Sequence, residues 1–200
     1  AVTYLLSCNF GEIITFIAGM LIFKLPPLAA VQLLWVNLLT DSTSAISLTV
    51  EKPELDVMRK KPIALSGHIF SINSLINIIC DALFIAILSL ISFAIGNSGG
   101  SLSAATMAFS TLSIVQIFHS FNFKSENSLF KSDFKSNRFM NFSTIIILFI
   151  SIFLVLTPAG YVFGLTTLTT KQFICSLLLA LAIVPYSEIK KIINKRIVTE

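Results

Sequence analysis

The sequence predicts an all-α fold, a polytopic membrane bundle of six transmembrane helices extending over residues 1–200. Three observations carry this expectation. Of the 200 residues, 55% are hydrophobic and 12% charged, the latter about half the share of an average globular protein. Mean hydropathy is +0.89, and six apolar runs reach or approach the ~20 residues that a helix needs to cross a bilayer at ~1.5 Å per residue. Lys and Arg fall in short clusters between alternate runs. That is the pattern of membrane topology rather than of a nucleic-acid-binding surface, so no nucleic acid is expected as a partner.

The first run, 1–23, ends at Lys24-Leu25-Pro26-Pro27, and the second, 28–50, is closed by the polar stretch 51–61. The third, 69–95, stops at Gly96-Asn97-Ser98-Gly99-Gly100. The fourth covers 104–121, the fifth 142–156 and the sixth 173–189; the short fifth run is expected to extend into its flanks. A soluble helical core would need polar faces at a 3.6-residue period, and Ile145-Ile146-Ile147-Leu148-Phe149-Ile150 has none. A membrane barrel would show alternation over about ten residues, which is also missing.

Lys52, Arg59, Lys60, Lys61, Lys124, Lys131, Lys135, Arg138, Lys190, Lys191, Lys195 and Arg196 share one side, against Lys24 and Lys171 on the other. The positive-inside rule then predicts a cytoplasmic C-terminus and a first span entering from the cytoplasm. Cys8, Cys80 and Cys175 lie far apart within apolar runs and read as small buried hydrophobes. Ala1-Val2-Thr3-Tyr4 starts inside an apolar run, as expected of a piece of a longer chain.

The spans carry polar groups that lipid tolerates poorly. Asn9 and Glu12 share a face of the first span, with Gly11 between them leaving room for close backbone approach. Asn37 and Asp41 are an i, i+4 pair in the second span beside Thr40. A charge at bilayer depth costs about 2.5–3.5 kcal/mol even on lenient scales, so it needs a cation, a proton or a polar partner. The two spans are antiparallel neighbours joined by a tight Pro-Pro turn, and their polar sets fall at similar depth. Together they form an oxygen-rich cluster of the kind hard cations such as Ca²⁺ take. A proton is an alternative occupant, and interhelical hydrogen bonding without any ion is the plainer reading.

These residues resemble a known family. Tyr4-Leu5-Leu6-Ser7-Cys8-Asn9-Phe10-Gly11-Glu12 looks like the fifth membrane helix of P-type cation-transporting ATPases. Trp35-Val36-Asn37 and Thr40-Asp41, followed by Pro53, Asp56, Met58 and Pro62, look like the sixth helix and its cytoplasmic loop. Weaker likeness continues through Met107-Ala108-Phe109-Ser110, Pro185 and Glu188. The resemblance implies that residues 1–200 are helices five to ten of the pump's membrane domain. It implies a metal site of the calcium-pump branch at Asn9, Glu12, Asn37, Thr40 and Asp41, with Asp41 able to bridge two sites. Gln116 falls where two-calcium pumps carry a ligand Glu, with His119 near another polar position; the lost carboxylate implies one calcium per cycle. Asp41 precedes Ser42-Thr43-Ser44 rather than the family's frequent Gly-Leu-Pro. The fourth-helix gate, the actuator, nucleotide-binding and phosphorylation domains would be partners elsewhere in the same chain, with ATP and Mg²⁺ bound only there.

No Asp-Lys-Thr-Gly phosphorylation sequence or Gly-rich phosphate cradle occurs here, so these residues alone should neither bind nor hydrolyse ATP. Asn73, Asn77 and Asp81 recur every four residues on the third span. Helix packing explains them most simply; a proton or counter-ion route past Asp81 is the sharper reading. The loop 51–62, stiffened by Pro53 and Pro62, is expected to transmit phosphorylation-domain movement, while the loop at 125–138 faces solvent and headgroups and His68 sits at the interface. A secondary transporter or channel would use the cluster without ATP, and a helical anchor would not use it at all. Ca²⁺, Mn²⁺, Na⁺ and K⁺ all accept oxygen ligands. The many Lys, Ile and Asn point to a bacterial plasma membrane.

Overall fold

A computed structural model describes residues 1–51, 72–124 and 137–199, with backbone alone for 194–199. Most of the 51–62 loop, His68 and residues 125–136 lie outside it. Helix α1 (Val2–Phe23) ends where Lys24 takes a left-handed conformation (φ 55°) and its N–H reaches the Met20 carbonyl. Pro26 and Pro27 prevent the helix from resuming, and the chain turns into α2 (Ala30–Trp35).

The second predicted crossing is composite rather than a single α-helix. A π-helical turn, Val36–Asp41, separates α2 from α3 (Ser42–Thr49). Ser42 makes this turn: its N–H closes a five-residue hydrogen bond to the Asn37 carbonyl, and its hydroxyl donates to the same oxygen at 2.9 Å. The backbone is therefore widened but still bonded, with neither Gly nor Pro to unwind it. Among the described residues five other helices are long and apolar enough to cross a bilayer: α1, α4 (Ile72–Gly96), α5 (Ser101–Asn122), α6 (Arg138–Leu156), and α7 (Thr170–Leu181) continuing into α8 (Ile183–Thr199). The fifth crossing starts at Arg138, as its short apolar run required. Pro185 accounts for the break between α7 and α8, because it has no N–H to donate to Leu181.

Helix α5 is the hub, with four-fifths of its apolar window covered by other helices. Around it α1, α4, α6 and α7 turn Ile13, Ile17, Ile76, Ile87, Phe149 and Leu178 outward, the surface expected against lipid. Lipid supplies no hydrophobic drive for helices to associate, so small residues and hydrogen bonds decide where they approach. A Cβ on Gly11 would lie 3.0 Å from Ile85 Cγ2, and one on Gly96 only 2.7 Å from Ala104 Cα. These two glycines set the α1–α4 and α4–α5 contacts. Asn137 caps α6 through the Met140 N–H and donates to the Ser47 carbonyl, while the Ser47 and Ser143 hydroxyls meet at 2.8 Å. Gln32 ties the start of α2 to the connection between α6 and α7, donating to the Phe163 and Gly164 carbonyls.

Two sequence expectations need correction. Cys80 is exposed, on the lipid side of α4, whereas Cys8 is buried and Cys175 half-buried; all three are free. Asn73 is also exposed, so the α4 polar stripe does not pack as a unit: Asn77 is half-buried and only Asp81 is buried.

Candidate functional site

The inward face of α1 holds Tyr4, Ser7, Cys8, Gly11, Glu12, Thr15 and Gly19, a stripe at helical spacing. It brings Glu12 against the π turn and α5 together. Asn37 Nδ2 donates to one Glu12 oxygen at 2.8 Å, and Gln116 Nε2 donates to the other at 2.8 Å. Both carboxylate oxygens are thus held by amides from two separate crossings, which positions the acid and partly offsets its charge. Asn37 is anchored in turn to the Leu33 carbonyl.

Asp41, at the end of the π turn, is 1% exposed. Its Oδ1 accepts from the Tyr4 hydroxyl at 3.2 Å, and that hydroxyl also lies 3.3 Å from the Gln116 carbonyl. Asp41 Oδ2, Thr40 Oγ1 and Gln116 Oε1 are buried with no hydrogen-bond partner. Such orphaned oxygens are rare in native interiors and call for an ion, a water or a rearrangement.

Asn9 is half-buried and donates to the Leu5 carbonyl. With Glu12, Asn37, Leu33 and Phe16 it lines a cleft of about 310 Å³. The structure therefore joins Glu12, Asn37 and Gln116 directly and sets Asn9 on the same cleft; it links buried Asp41 to Gln116 through the Tyr4 hydroxyl, and shows Thr40 as buried without a side-chain hydrogen bond to the others. Among the described residues no three His, Cys, Asp or Glu side chains form a metal cluster. Any cation here would need amide and hydroxyl oxygens as well as two carboxylates, a donor set suited to hard cations. Tyr4 was missed as a site residue, although its place in the small and polar stripe of α1 was a readable signal.

A second polar group lies nearer the start of α1. Lys190 Nζ donates to Asp81 Oδ1 at 2.5 Å and to the Asn77 carbonyl at 2.9 Å. His119 Nε2 stands 3.8 Å from Asp81 Oδ2 and 3.3 Å from Ser7 Oγ.

Fold and site define a multi-pass membrane protein with an oxygen-rich cluster buried between crossings. Residues 25–193 match the family model for the cation transporting ATPase C-terminus, and the chain belongs to that family. It is 34% identical to calcium-transporting ATPase 1 of Bacillus cereus over 98% of this chain and 24% of the relative. Identity is again 34% to a calcium-transporting ATPase of Bacillus subtilis, over 80% of this chain and 18% of the relative. A calcium-transporting ATPase of Listeria monocytogenes is 29% identical over 98% of this chain and 22% of its own length. The chain thus spans about a fifth to a quarter of these relatives.

Proposed function

We propose that residues 1–200 form the ion-translocating membrane region of an ATP-driven calcium pump, with Asn9, Glu12, Asn37, Thr40, Asp41 and Gln116 supplying oxygen to the transported cation. The observation that carries this reading is the trio of unpartnered buried oxygens, Asp41 Oδ2, Thr40 Oγ1 and Gln116 Oε1, next to a carboxylate held only by amide N–H groups. Rotation of the Asn37 and Gln116 amides would exchange donors for acceptors. The cluster could then alternate between a cation-free form, in which amide N–H groups satisfy Glu12, and a cation-bound form, in which amide oxygens turn inward. With one carboxylate fewer than a two-ion site, it takes one calcium per cycle.

The membrane is a bacterial plasma membrane and the basic C-terminal end is cytoplasmic. ATP and Mg²⁺ act on other domains of the whole protein, where hydrolysis through an aspartyl phosphate would drive the alternation. The calcium-transporting relatives and the positive-inside pattern support these assignments.

The test is cation-dependent ATPase activity of the intact protein across Ca²⁺, Mn²⁺, Na⁺ and K⁺. Ca²⁺ should activate at the lowest concentration, and Asp41→Asn should remove that activation in a protein that still assembles. Activity independent of all four cations, or unaltered by Asp41→Asn, would refute the proposal.

A further inference from the structure

The connection between α6 and α7 is not a slack loop. Pro158–Phe163 forms a 3-10 helix, and a Cβ on Gly160 would collide with the Leu154 carbonyl of α6. Further on, the Leu168 N–H donates to the Val155 carbonyl at 3.0 Å, and the Thr166 N–H donates to the Thr106 hydroxyl of α5 at 2.9 Å. Leu165 and Leu168 are buried. The connection is thereby fixed to both α5 and α6. Gln32 holds α2 against it with every polar atom it has, and is 1% exposed. Its Oε1 accepts from the Ala29 N–H at 3.0 Å, while Nε2 donates to the Phe163 carbonyl at 3.3 Å and the Gly164 carbonyl at 3.2 Å. Gly164 is left-handed (φ 66°), a conformation glycine adopts at little cost. Three residues after Gln32, Trp35 meets Phe163 edge to face at 4.8 Å between centroids.

We infer that Gln32 is a positioning residue for the cation cluster: by clasping α2 to the α6–α7 connection, it sets where Asn37 and Asp41 stand relative to Glu12. The inference rests on the pump reading above. Gln32 precedes Asn37 by about 8 Å of helical rise, too far to ligate the same ion, so it acts through the backbone.

The composite build of the second crossing makes this control necessary. Helix α2 has six residues, far fewer than a helix needs to hold its shape alone. It joins the rest of the crossing only through the π turn, where the backbone bonding is already widened. The inner half, α3, is held separately: Asn137 donates to the Ser47 carbonyl, and the Ser47 and Ser143 hydroxyls meet. Asn37, Thr40 and Asp41 are thus suspended between two fastened ends, both fastened to α6 or its continuation. With the outer fastening gone, α2 can tilt on the π turn and carry Asn37 with it. A binding site tolerates only about 0.5 Å of such displacement before its geometry is lost.

The experiment measures equilibrium Ca²⁺ binding to the intact protein without ATP, with Ca²⁺-dependent ATPase activity recorded alongside. Gln32→Met keeps the length of the side chain and removes its hydrogen bonds. The Kd for Ca²⁺ should rise roughly tenfold, while the ions bound at saturation and the maximal rate stay near those of the wild type. Phe163→Leu loosens the clasp from the opposite side, through Trp35, and should raise Kd in the same direction. It decides the matter if Gln32→Met does not assemble. Thr169→Ala removes a cap of α7 that does not touch α2 and should leave Kd unchanged. A wild type that binds no Ca²⁺ would overturn the pump reading beneath. A wild type that binds Ca²⁺, with Gln32→Met and Phe163→Leu matching its Kd, would overturn the positioning role alone. An equal loss of affinity in Thr169→Ala would do the same, because the effect would then be a general loosening of the bundle.

Discussion

Gln116→Glu is the most discriminating change at the proposed cation cluster. Gln116 Nε2 lies 2.8 Å from Glu12 Oε1, so the substitution replaces a donor with a second carboxylate facing the first. Two unit charges about 4 Å apart repel by about 4 kcal/mol at an effective dielectric constant of about 20. This penalty falls on the cation-free protein and is relieved when a cation or proton enters. If a cation recovered all of it, apparent affinity would rise about a thousandfold. Side-chain relaxation and competing protons reduce the expected gain to about 10- to 100-fold, largest at alkaline pH. The assay is Ca²⁺-activated phosphoenzyme formation by the intact protein over a range of free Ca²⁺ and pH, together with the number of Ca²⁺ ions bound per protein. A rise from one ion towards two would accompany the affinity gain. Unchanged Ca²⁺ dependence and stoichiometry in a correctly assembled variant would refute the view that Glu12 and Gln116 face a common ion.

Two further predictions concern the bundle. Gly96→Ala should lower thermal stability in detergent by about 1–3 kcal/mol, because the new Cβ would meet Ala104 Cα at 2.7 Å; unchanged melting would mean that α4 and α5 are not so close. Lys190→Met and Asp81→Asn should be non-additive, with a coupling near 1 kcal/mol in a double-mutant cycle, since Lys190 stays 21% exposed. Zero coupling would remove the ion pair as a link between α8 and α4.

Five of the six expected crossings were legible as single spanning helices, because apolar runs of bilayer length have few other uses in a chain this poor in charge. The π turn was not. It arises from a backbone bond between Ser42 and Asn37, and nothing in Asn37-Leu38-Leu39-Thr40-Asp41-Ser42 distinguishes that bond from an ordinary helical one. Glu12 and Asn37 could be nominated because amides and acids in mid-span are costly and therefore conspicuous, whereas Gln116 was nominated only through the resemblance to the calcium-pump family. Tyr4 escaped notice because a tyrosine near a membrane edge has a commoner use as an interfacial anchor. The meeting of Asp81, His119 and Lys190 was beyond reach, since it requires knowing how three distant segments pack.

The crowded position of α5 also bears on how the chain enters the membrane. Its buried surface carries Ser103, Thr106, Ser110, Thr111, Ser113 and Gln116, so on leaving the ribosome it would offer lipid a poor surface before α6, α7 and α8 exist. Helix α4 is more apolar and is joined to α5 by only Asn97–Gly99 and Gly100. The two can insert as a hairpin, with Ser92 taking the Met107 carbonyl and the Thr111 hydroxyl during entry. Biogenesis would then proceed by pairs, and the least lipid-compatible segment would be escorted by its immediate predecessor.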